Sequence, residues 1–183
     1  MERDRLVDVG VGVISRFGAR ALSLTSVARH AGVGRATAYR MFGGRDALVA
    51  AIVDREVAVL SVHLGGWAAE KVTPEDKVRN QVVNVLAYIR EHQALQYVLR
   101  NEPEEIAAAL VSGPDSESRS TVVDRIIDVC MPTMDPAFAE VAIPDPRSAA
   151  ELMVRIIYTF MLIPNTAMTD EQLADAVVRA TIG

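Results

Sequence analysis

Apolar residues recur with a helical period along most of this chain. Between residues 24 and 31 they occupy positions i, i+3, i+4 and i+7, so a short helix there has one apolar face. Ser23 precedes this helix as a predicted N-cap, and Gly32 follows it where a left-handed residue commonly ends a helix. A second short helix is predicted over residues 35–42, with Gly34 as its cap. Two short helices joined by such a turn indicate a helix-turn-helix.

The second of these helices has an apolar side and a polar side. Ala38, Met41 and Phe42 are predicted to face inward, and Val33 is predicted to fill the angle between the two helices. Arginine bonds guanine edges or phosphates, tyrosine and threonine hydroxyls bond phosphates, and a small alanine allows close approach to a helix N-terminus. The outward residues, which suit a DNA major groove, are Arg35, Ala36, Thr37, Tyr39 and Arg40.

The same periodicity predicts helices over the rest of the chain. Gly65 and Gly66 are expected to break the long helix that follows the helix-turn-helix, and Thr73 is expected to cap the next one. Prolines and small polar residues predict a loop over 112–120 and a long connection over 132–146. The remaining predicted helices cover residues 3–17, 47–64, 94–100, 103–110, 121–131, 136–141, 147–163 and 169–181, together with a helix that starts at Pro74 and has Val78, Val82, Val85, Leu86 and Ile89 on one face.

With the shortest turns left out of the count, these elements predict an all-α protein of about nine helices, because strand-like alternating runs are scarce. Cys130 is the only cysteine, so no intrachain disulfide is possible, and no Cys/His cluster suggests a structural zinc site. No basic-then-apolar signal segment is present at the N-terminus, and no apolar run reaches the roughly 20 residues that cross a bilayer. We therefore expect a cytoplasmic protein with no membrane partner, no metal and no cofactor.

Charge is divided unevenly along the chain. The net charge is −5, but residues 1–46 contain eight arginines and four acidic residues, a net charge of +4, and the remainder carries −9. A basic segment that contains a helix-turn-helix is the electrostatic signature of a phosphate-binding module. Arg3 and Arg5 at the chain start are either contacts to a DNA backbone or solvated side chains.

The N-terminal pattern resembles the TetR family of transcriptional regulators. The matching residues are Arg5-Leu6, Gly18, Val27-Ala28, Ala31-Gly32-Val33, Thr37, Tyr39, Phe42 and Asp46-Ala47-Leu48. The resemblance implies a three-helix DNA-binding domain over 1–46 and a helical regulatory and dimerisation domain over 47–183. The chain departs from the family at Gly34, where the family often has serine, and at Gly43-Gly44, where it often has Pro-Ser.

We expect the first domain to bind double-stranded DNA. Arg45 falls in the first turn of the long helix, where free backbone N–H groups can bind a phosphate. Without a serine at 34, the contact with phosphate should depend on Arg35, Thr37, Tyr39 and Arg45. The predicted DNA-binding residues are Arg3, Arg5, Ser23, Thr25, Gly34, Arg35, Ala36, Thr37, Tyr39, Arg40 and Arg45.

We expect the second domain to bind a small-molecule effector. Aromatic rings and thioethers supply adaptable apolar surface, and a few polar side chains would anchor the ligand, although core packing is the alternative for each. An apolar effector is favoured because few ionisable groups interrupt these helices. The predicted ligand-binding residues are Trp67, Asn84, Tyr88, Gln93, Gln96, Tyr97, Met131, Met134, Phe138, Arg155, Tyr158 and Met161.

A homodimer follows from both the pattern and the resemblance. The helix over 147–163 is apolar on more than one face, and in the TetR family the last two helices form a four-helix dimer interface. The resemblance implies that helices 147–163 and 169–181 do so here. Two recognition helices about 34 Å apart would then read two half-sites. The leading hypothesis is a repressor that leaves a palindromic operator when an effector binds, with the long helix over 47–64 transmitting the change.

Two other classes of function are alternatives to this one. The first is a ligand-independent architectural or occlusion factor whose second domain binds another protein. The second is an enzyme, but neighbours such as Glu104 and Glu105 point about 100° apart on a helix and make a poor acid/base pair. His30, His63 and His92 are isolated, no nucleophile elbow or HExxH motif is present, and Cys130 suits core packing better than redox chemistry. The sequence predicts no enzyme activity.

Overall fold

A computed structural model of the chain describes residues 1–110 and 121–183. Within these ranges the chain forms eleven α-helices and one short 3₁₀ helix, and its only β-type pairing is an isolated bridge between Ala142 and Ile182. The all-α prediction is confirmed. The predicted loop over 112–120 lies outside the described residues. None of the helices in the described ranges combines the length and the apolar character needed to span a membrane.

The helix boundaries follow the sequence prediction closely, apart from the end of the fourth helix. A 3₁₀ turn at Met131–Thr133, which the sequence did not predict, follows α8. In chain order the helices are α1 (Glu2–Phe17), α2 (Leu24–His30), α3 (Arg35–Phe42), α4 (Arg45–Ala69), α5 (Pro74–Glu91), α6 (Gln93–Asn101), α7 (Pro103–Leu110), α8 (Val122–Cys130), α9 (Pro136–Val141), α10 (Pro146–Leu162) and α11 (Asp170–Thr181).

The described residues pack as two compact units. The first unit consists of residues 1–56 and 92–109. It therefore contains α1, α2, α3, the first half of α4, α6 and nearly all of α7. Its core includes the fully buried side chains of Leu6, Val27 and Leu48. The unit is larger than the predicted domain over 1–46, and the domain boundary after residue 46 stays a prediction.

The second unit consists of residues 57–91 and 110–183. Its core is formed where α5 and α11 pack together, with α9 and α10 adding to it. Val82, Phe138 and Val177 are buried there. The valine face predicted for the α5 segment is therefore a true core face.

The long helix α4 does not end at Gly65-Gly66, and the prediction of a break there is wrong. A glycine inside a helix costs about 0.5–1 kcal/mol relative to alanine, which tertiary contacts can offset. The Gln81 Nε2 donates to the Leu64 carbonyl at 3.0 Å, and the Asn80 Nδ2 donates to the Trp67 carbonyl at 2.8 Å. These two amides of α5 satisfy carbonyls in the last turns of α4, which stabilises the helix beyond the glycines.

The inward placement of Met41 is also wrong, since its side chain is 37% exposed. Helix α3 packs through Ala38 and Phe42, which are four residues apart and lie on one stripe. Residue 41 lies about 100° around the helix from Phe42 and falls off that narrow stripe. An eight-residue helix therefore buries two side chains and exposes most of its remaining surface.

Candidate nucleic-acid interface

Local contacts hold the helix-turn-helix, and they occur at the cap and the turn that the sequence predicted. The Ser23 hydroxyl accepts from the Ser26 N–H at 3.1 Å and caps α2. Gly32 has φ +63°, a left-handed conformation that side chains other than hydrogen disfavour. The Val33 N–H donates to the Ala28 carbonyl at 2.9 Å, and the Val33 side chain is buried in the core of the first unit. The turn therefore holds α3 at a fixed angle to α2.

The outer face of α3 is polar, basic and partly ordered by its own contacts. Arg35, Ala36, Tyr39 and Arg40 are exposed, and Thr37 is half-buried. The guanidinium carbon of Arg35 lies 5.4 Å from the centroid of the Tyr39 ring. The Arg40 Nη2 donates to the Thr37 hydroxyl at 3.2 Å. These contacts join Arg35 to Tyr39 and Arg40 to Thr37 on the outer part of α3.

The start of α3 is open to an anion. Gly34 caps the helix without a side-chain hydrogen bond, and the first turn contains no acidic residue. Backbone N–H groups at a helix N-terminus carry partial positive charge and bind phosphates well. The missing serine at position 34 removes one hydroxyl and leaves the backbone to make the contact.

The other predicted DNA-binding residues lie outside α3. Arg3 lies with its guanidinium 5.1 Å from the centroid of the Phe42 ring, so it is held against the end of α3. Arg5 and Thr25 are exposed on α1 and α2. Ser23 is exposed too, but its oxygen is already used as the cap of α2. The DNA-contact role of each residue stays a prediction.

Arg45 differs from the other arginines because it is already paired. Its Nη2 donates to the Ala19 carbonyl at 2.9 Å and lies 3.4 Å from Glu105 Oε2. Its Nη1 also lies 3.7 Å from the Asp46 carboxylate. A phosphate at the start of α4 would therefore compete with protein acceptors for this guanidinium.

Sequence reasoning missed the acidic turn that follows α6. Glu102 is only 6% exposed, and its Oε2 accepts from the Ala19 N–H at 2.6 Å and from the Arg20 N–H at 3.3 Å. Gly18 lies directly against it with φ +85°, and a Cβ there would be 2.3 Å from Glu102 Oε1. No periodic signal joins residues 83 positions apart. The only local signal of this contact in the sequence was Gly18, the glycine at the end of the first helix.

The second unit brings together some of the predicted ligand-binding residues. The Trp67 and Tyr88 rings lie 6.4 Å apart, and His63 stacks on Trp67 at 5.5 Å and approaches Tyr88 at 5.4 Å. Phe138 is buried in the core and Met134 packs against that core. Burial raises the pKa of the Tyr158 phenol to about 12. These residues form apolar surface within the unit.

Two proposed polar anchors of that unit are occupied by other contacts. The Asn84 Nδ2 donates to the Asn80 carbonyl at 2.8 Å. Arg155 is exposed and pairs with Glu151 at 2.6 Å along α10. Met131 and Met161 are half-buried. A ligand role for any of these side chains stays a prediction.

Gln93, Gln96 and Tyr97 lie in the first compact unit, whereas the other predicted ligand-binding residues lie in the second. Tyr97 packs where α1 ends, since a Cβ on Gly18 would lie 2.7 Å from Tyr97 Cε1. Gln96 accepts from Arg100 at 3.3 Å, and Gln93 is exposed. The sequence grouped these three residues with those of the second unit because they are close in the chain. Helix α6, which carries them, packs against α1 and belongs to the first unit.

The histidines and the cysteine have ordinary structural contacts. The His30 Nδ1–H donates to the Ser26 carbonyl at 2.8 Å. The His92 Nδ1 accepts from the Leu95 N–H and caps α6, so its Nε2–H donates to Glu56 at 2.6 Å. Burial raises the pKa of the Cys130 thiol, which disfavours the reactive thiolate. Among residues 1–110 and 121–183, no group of three or more His, Cys, Asp or Glu side chains is placed to hold a metal ion.

Known proteins match both the N-terminal segment and the whole architecture. The model of the family described as bacterial regulatory proteins, tetR family, matches residues 6–52. Proteins from two strains of Mycobacterium tuberculosis, both named as uncharacterised HTH-type transcriptional regulators, are 24% identical over 172 residues. That alignment covers 92% of this chain and 79% of each relative.

Two solved structures are similar over nearly the whole chain. The TetR family repressor AlkX from a Dietzia strain, implicated in biodegradation of n-alkanes, has a TM-score of 0.71 at 19% identity. That comparison covers 97% of this chain and 91% of AlkX. RolR in complex with its ligand resorcinol has a TM-score of 0.73 at 13% identity, covering 98% of this chain and 87% of RolR. At these identities the two structures establish a shared fold.

Proposed function

Because the chain belongs to the TetR family of bacterial regulatory proteins and is a DNA-binding transcriptional regulator, we propose that it is a homodimeric repressor controlled by a small molecule. Its Mycobacterium tuberculosis relatives are named as transcriptional regulators and AlkX as a repressor, and the chain is a regulator rather than an enzyme. Since an operator lies on the bacterial chromosome, we expect the protein to act in the cytoplasm. The observation that carries the proposal is the exposed basic face of α3.

The proposed DNA contacts divide into two kinds. Arg35 and Arg40 are long enough to reach guanine edges, with Tyr39 and Thr37 available for phosphate or base contacts. The open N-terminus of α3 and the +4 charge of residues 1–46 favour binding to the backbone. The α3 face would therefore read the sequence, while the residues around it would set the register.

The proposed dimer uses α10 and α11. On α11 the apolar side chains are buried within the unit, but α10 carries apolar residues that the unit leaves uncovered. Leu152 and Leu162 on α10 are exposed, and Ile163, the residue directly after this helix, is 65% exposed. A partner subunit that covered them would place two copies of α3 on one operator. Half-sites about 34 Å apart would then be read by one dimer.

The proposed effector is small and largely apolar. The aromatic residues His63, Trp67 and Tyr88 and the half-buried Tyr158 supply apolar and aromatic surface in the second unit. RolR, which shares the fold, was solved with resorcinol, a small phenol. This precedent favours a ligand-responsive regulator over the architectural factor. Helix α4 contributes residues to both units and would transmit ligand binding to the DNA-reading helices.

The test is direct binding to DNA. Fluorescence anisotropy with fragments from beside its own gene, and with sites from a randomised selection, should show specific binding that weakens as salt rises. A panel of small phenols and alkanes, added to the preformed complex, should contain a compound that releases the DNA. Absence of specific binding to any fragment or selected site would overturn the proposal, whereas binding that no compound relieves would overturn only the effector's role.

A further inference from the structure

Two ion pairs lie side by side where the turn between α1 and α2 meets the start of α4. Arg20 pairs with Glu104, and Arg45 pairs with Glu105. The Ala19 carbonyl accepts from the Arg45 guanidinium at 2.9 Å, so the turn that carries Arg20 is in contact with Arg45. Both arginines and both glutamates belong to the first compact unit. Arg20 was not among the predicted DNA contacts.

We propose that Arg20 and Arg45 form a phosphate-binding pair, and that Glu104 and Glu105 compete with DNA for them and so limit operator affinity. The inference rests on the proposed DNA-binding function. It adds one contact residue and a pair of built-in competitors to that function. An acidic turn next to a basic surface would then set how tightly the repressor holds its operator.

The competing carboxylates are held in place by Glu102. Its buried carboxylate accepts from the Ala19 and Arg20 N–H groups, and its carbonyl accepts from the Glu105 N–H at 3.0 Å. Pro103 then starts α7, so Glu104 and Glu105 fall in the first helical turn, where acidic side chains are favoured. Gly18 also packs directly against the Glu102 carboxylate, so a Cβ at position 18 would collide with it. The two glutamates therefore stay beside the two arginines.

The pairs are exposed enough for a phosphate to displace the glutamates. The Arg20 and Glu104 side chains are 61% and 52% exposed, and those of Arg45 and Glu105 are 37% and 33% exposed. Ion pairs at such positions are weak because water screens them. A guanidinium binds phosphate in a bidentate manner, and DNA binding also releases condensed counterions. DNA should therefore win the competition, but at reduced affinity.

A purely structural role for the four charges makes the opposite prediction. If the pairs only brace α7 against the α1–α2 turn, neutralising the glutamates should loosen the unit and leave operator binding unchanged or weaker. If the glutamates compete with phosphate, neutralising them should strengthen binding and add to its salt dependence. The sign of the change in affinity separates the two roles.

The experiment compares the full-length wild type with Glu104→Gln, Glu105→Gln and the double variant. Operator affinity is measured by fluorescence anisotropy across a salt series, on the site recovered by selection with the wild type. Each single variant should bind about two- to fivefold more tightly at low salt, the range that follows from the strength of exposed ion pairs. The plot of log affinity against log salt should steepen in the double variant to the extent that the glutamates keep the arginines from phosphate in the wild-type complex, with an upper limit of about 0.9 for each arginine.

Three controls make the outcome decisive. Glu140→Gln removes one negative charge from an exposed position on α9 and should change affinity less than either test variant. In an Arg20→Ala/Arg45→Ala background, the two glutamine substitutions should have no more effect than Glu140→Gln. Thermal unfolding of every variant identifies any that is destabilised.

The inference would be overturned if the double variant bound the operator no more tightly than the wild type, or if Glu140→Gln produced the same gain. Specific binding by the wild type would still support the proposed function in that case. Specific binding absent from the wild type and from the double variant would overturn both.

Discussion

The exposed side chains of α3 should matter most for DNA binding, because they make few contacts that stabilise the fold. Tyr39 and Arg40 are exposed, and neither contributes to the core of the first unit. Tyr39 also supports the guanidinium of Arg35. Changes at these positions should therefore alter recognition without altering the structure.

We predict that Tyr39→Ala and Arg40→Ala each weaken operator binding, by about 1–3 kcal/mol where a base contact is lost. Anisotropy titrations would measure the loss, while circular dichroism and size-exclusion chromatography should match the wild type. Arg16→Ala removes the same charge from the exposed end of α1 and serves as the control. If both α3 variants bind as well as Arg16→Ala does, the recognition surface lies elsewhere.

Glycines of the first unit give a second prediction at this scale. Gly18 has φ +85° and no space for a Cβ beside Glu102, whereas Gly12 lies inside α1 with nothing within 4 Å. Gly18→Ala should destabilise the protein by about 1–3 kcal/mol, and Gly12→Ala should stabilise it by about 0.5–1 kcal/mol. Chemical denaturation measures both. Equal effects of the two substitutions would contradict the assigned geometry.

What the sequence predicted at the residue scale was local. Ser23 and Thr73 were predicted as caps, and each accepts from an N–H three residues on. Gly32 was predicted to be left-handed and is. The partners of Arg45 and Ala19 were not predicted, because Glu105 and Glu102 lie far away in sequence and no pattern of period 3.6 connects them.

At the scale of whole helices, α4 shows how contacts override propensity. The α5 amides of Asn80 and Gln81 satisfy carbonyls near its end, and both glycines lie within its span. The short helices α2 and α3 were predicted almost to the residue because caps and glycines mark their ends. The end of α4 was missed because what stabilises it comes from another helix.

Gly65→Ala and Gly66→Ala should each raise the free energy of unfolding by about 0.5–1 kcal/mol, because both residues are exposed and helical with no atoms near a new Cβ. Gly43→Ala is the matched control, since φ +73° at that position should make the same substitution destabilising. Denaturant titration gives the values. Destabilisation by both α4 substitutions would show that the helix ends where the sequence suggested.

The ion pair between α5 and α11 makes stability depend on pH. Arg90 donates to both oxygens of Asp170 at 2.6 and 2.7 Å, and this hydrogen bonding lowers the pKa of Asp170 below its ordinary 3.8. The carboxylate therefore contributes stability at pH values above 3.8, and the contribution is lost as pH falls through the lowered pKa. Because Arg90 is exposed, the contribution should be at most about 1 kcal/mol.

Unfolding measured between pH 7 and pH 2 should show a smaller loss of stability in Asp170→Asn than in the wild type. The asparagine cannot titrate, so this part of the pH dependence disappears. Asp128→Asn, in the more exposed pair with Arg147, should leave the pH profile closer to that of the wild type. Identical profiles for all three proteins would assign no stabilising role to the pair of Arg90 and Asp170.

For the molecule as a whole, the sequence predicted the fold class and the charge division but not which segments pack together. The +4 charge of residues 1–46 and the helical periodicity are properties of the chain. The inclusion of 92–109 in the first unit depends on long-range contacts between α1 and α6 and on the buried Glu102. Those contacts join residues far apart in the chain, where a single sequence carries no pairing signal.

The last prediction concerns the number of subunits. Leu152 and Leu162 are exposed apolar residues of α10, so charges placed there should be tolerated within a subunit but not beneath a partner. Leu152→Glu/Leu162→Glu should elute as a monomer of 19.8 kDa where the wild type elutes at twice that mass. Operator affinity should fall by at least about 100-fold, because a monomer loses the second half-site.

Val62→Glu places the same charge on an exposed apolar residue of α4 and should leave both mass and affinity unchanged. Light scattering after size exclusion gives the mass, and anisotropy gives the affinity of the same samples. A double α10 variant that stays dimeric would move the interface away from this helix. A wild type that is monomeric at micromolar concentration, yet binds a palindromic site cooperatively, would mean that the dimer forms only on DNA.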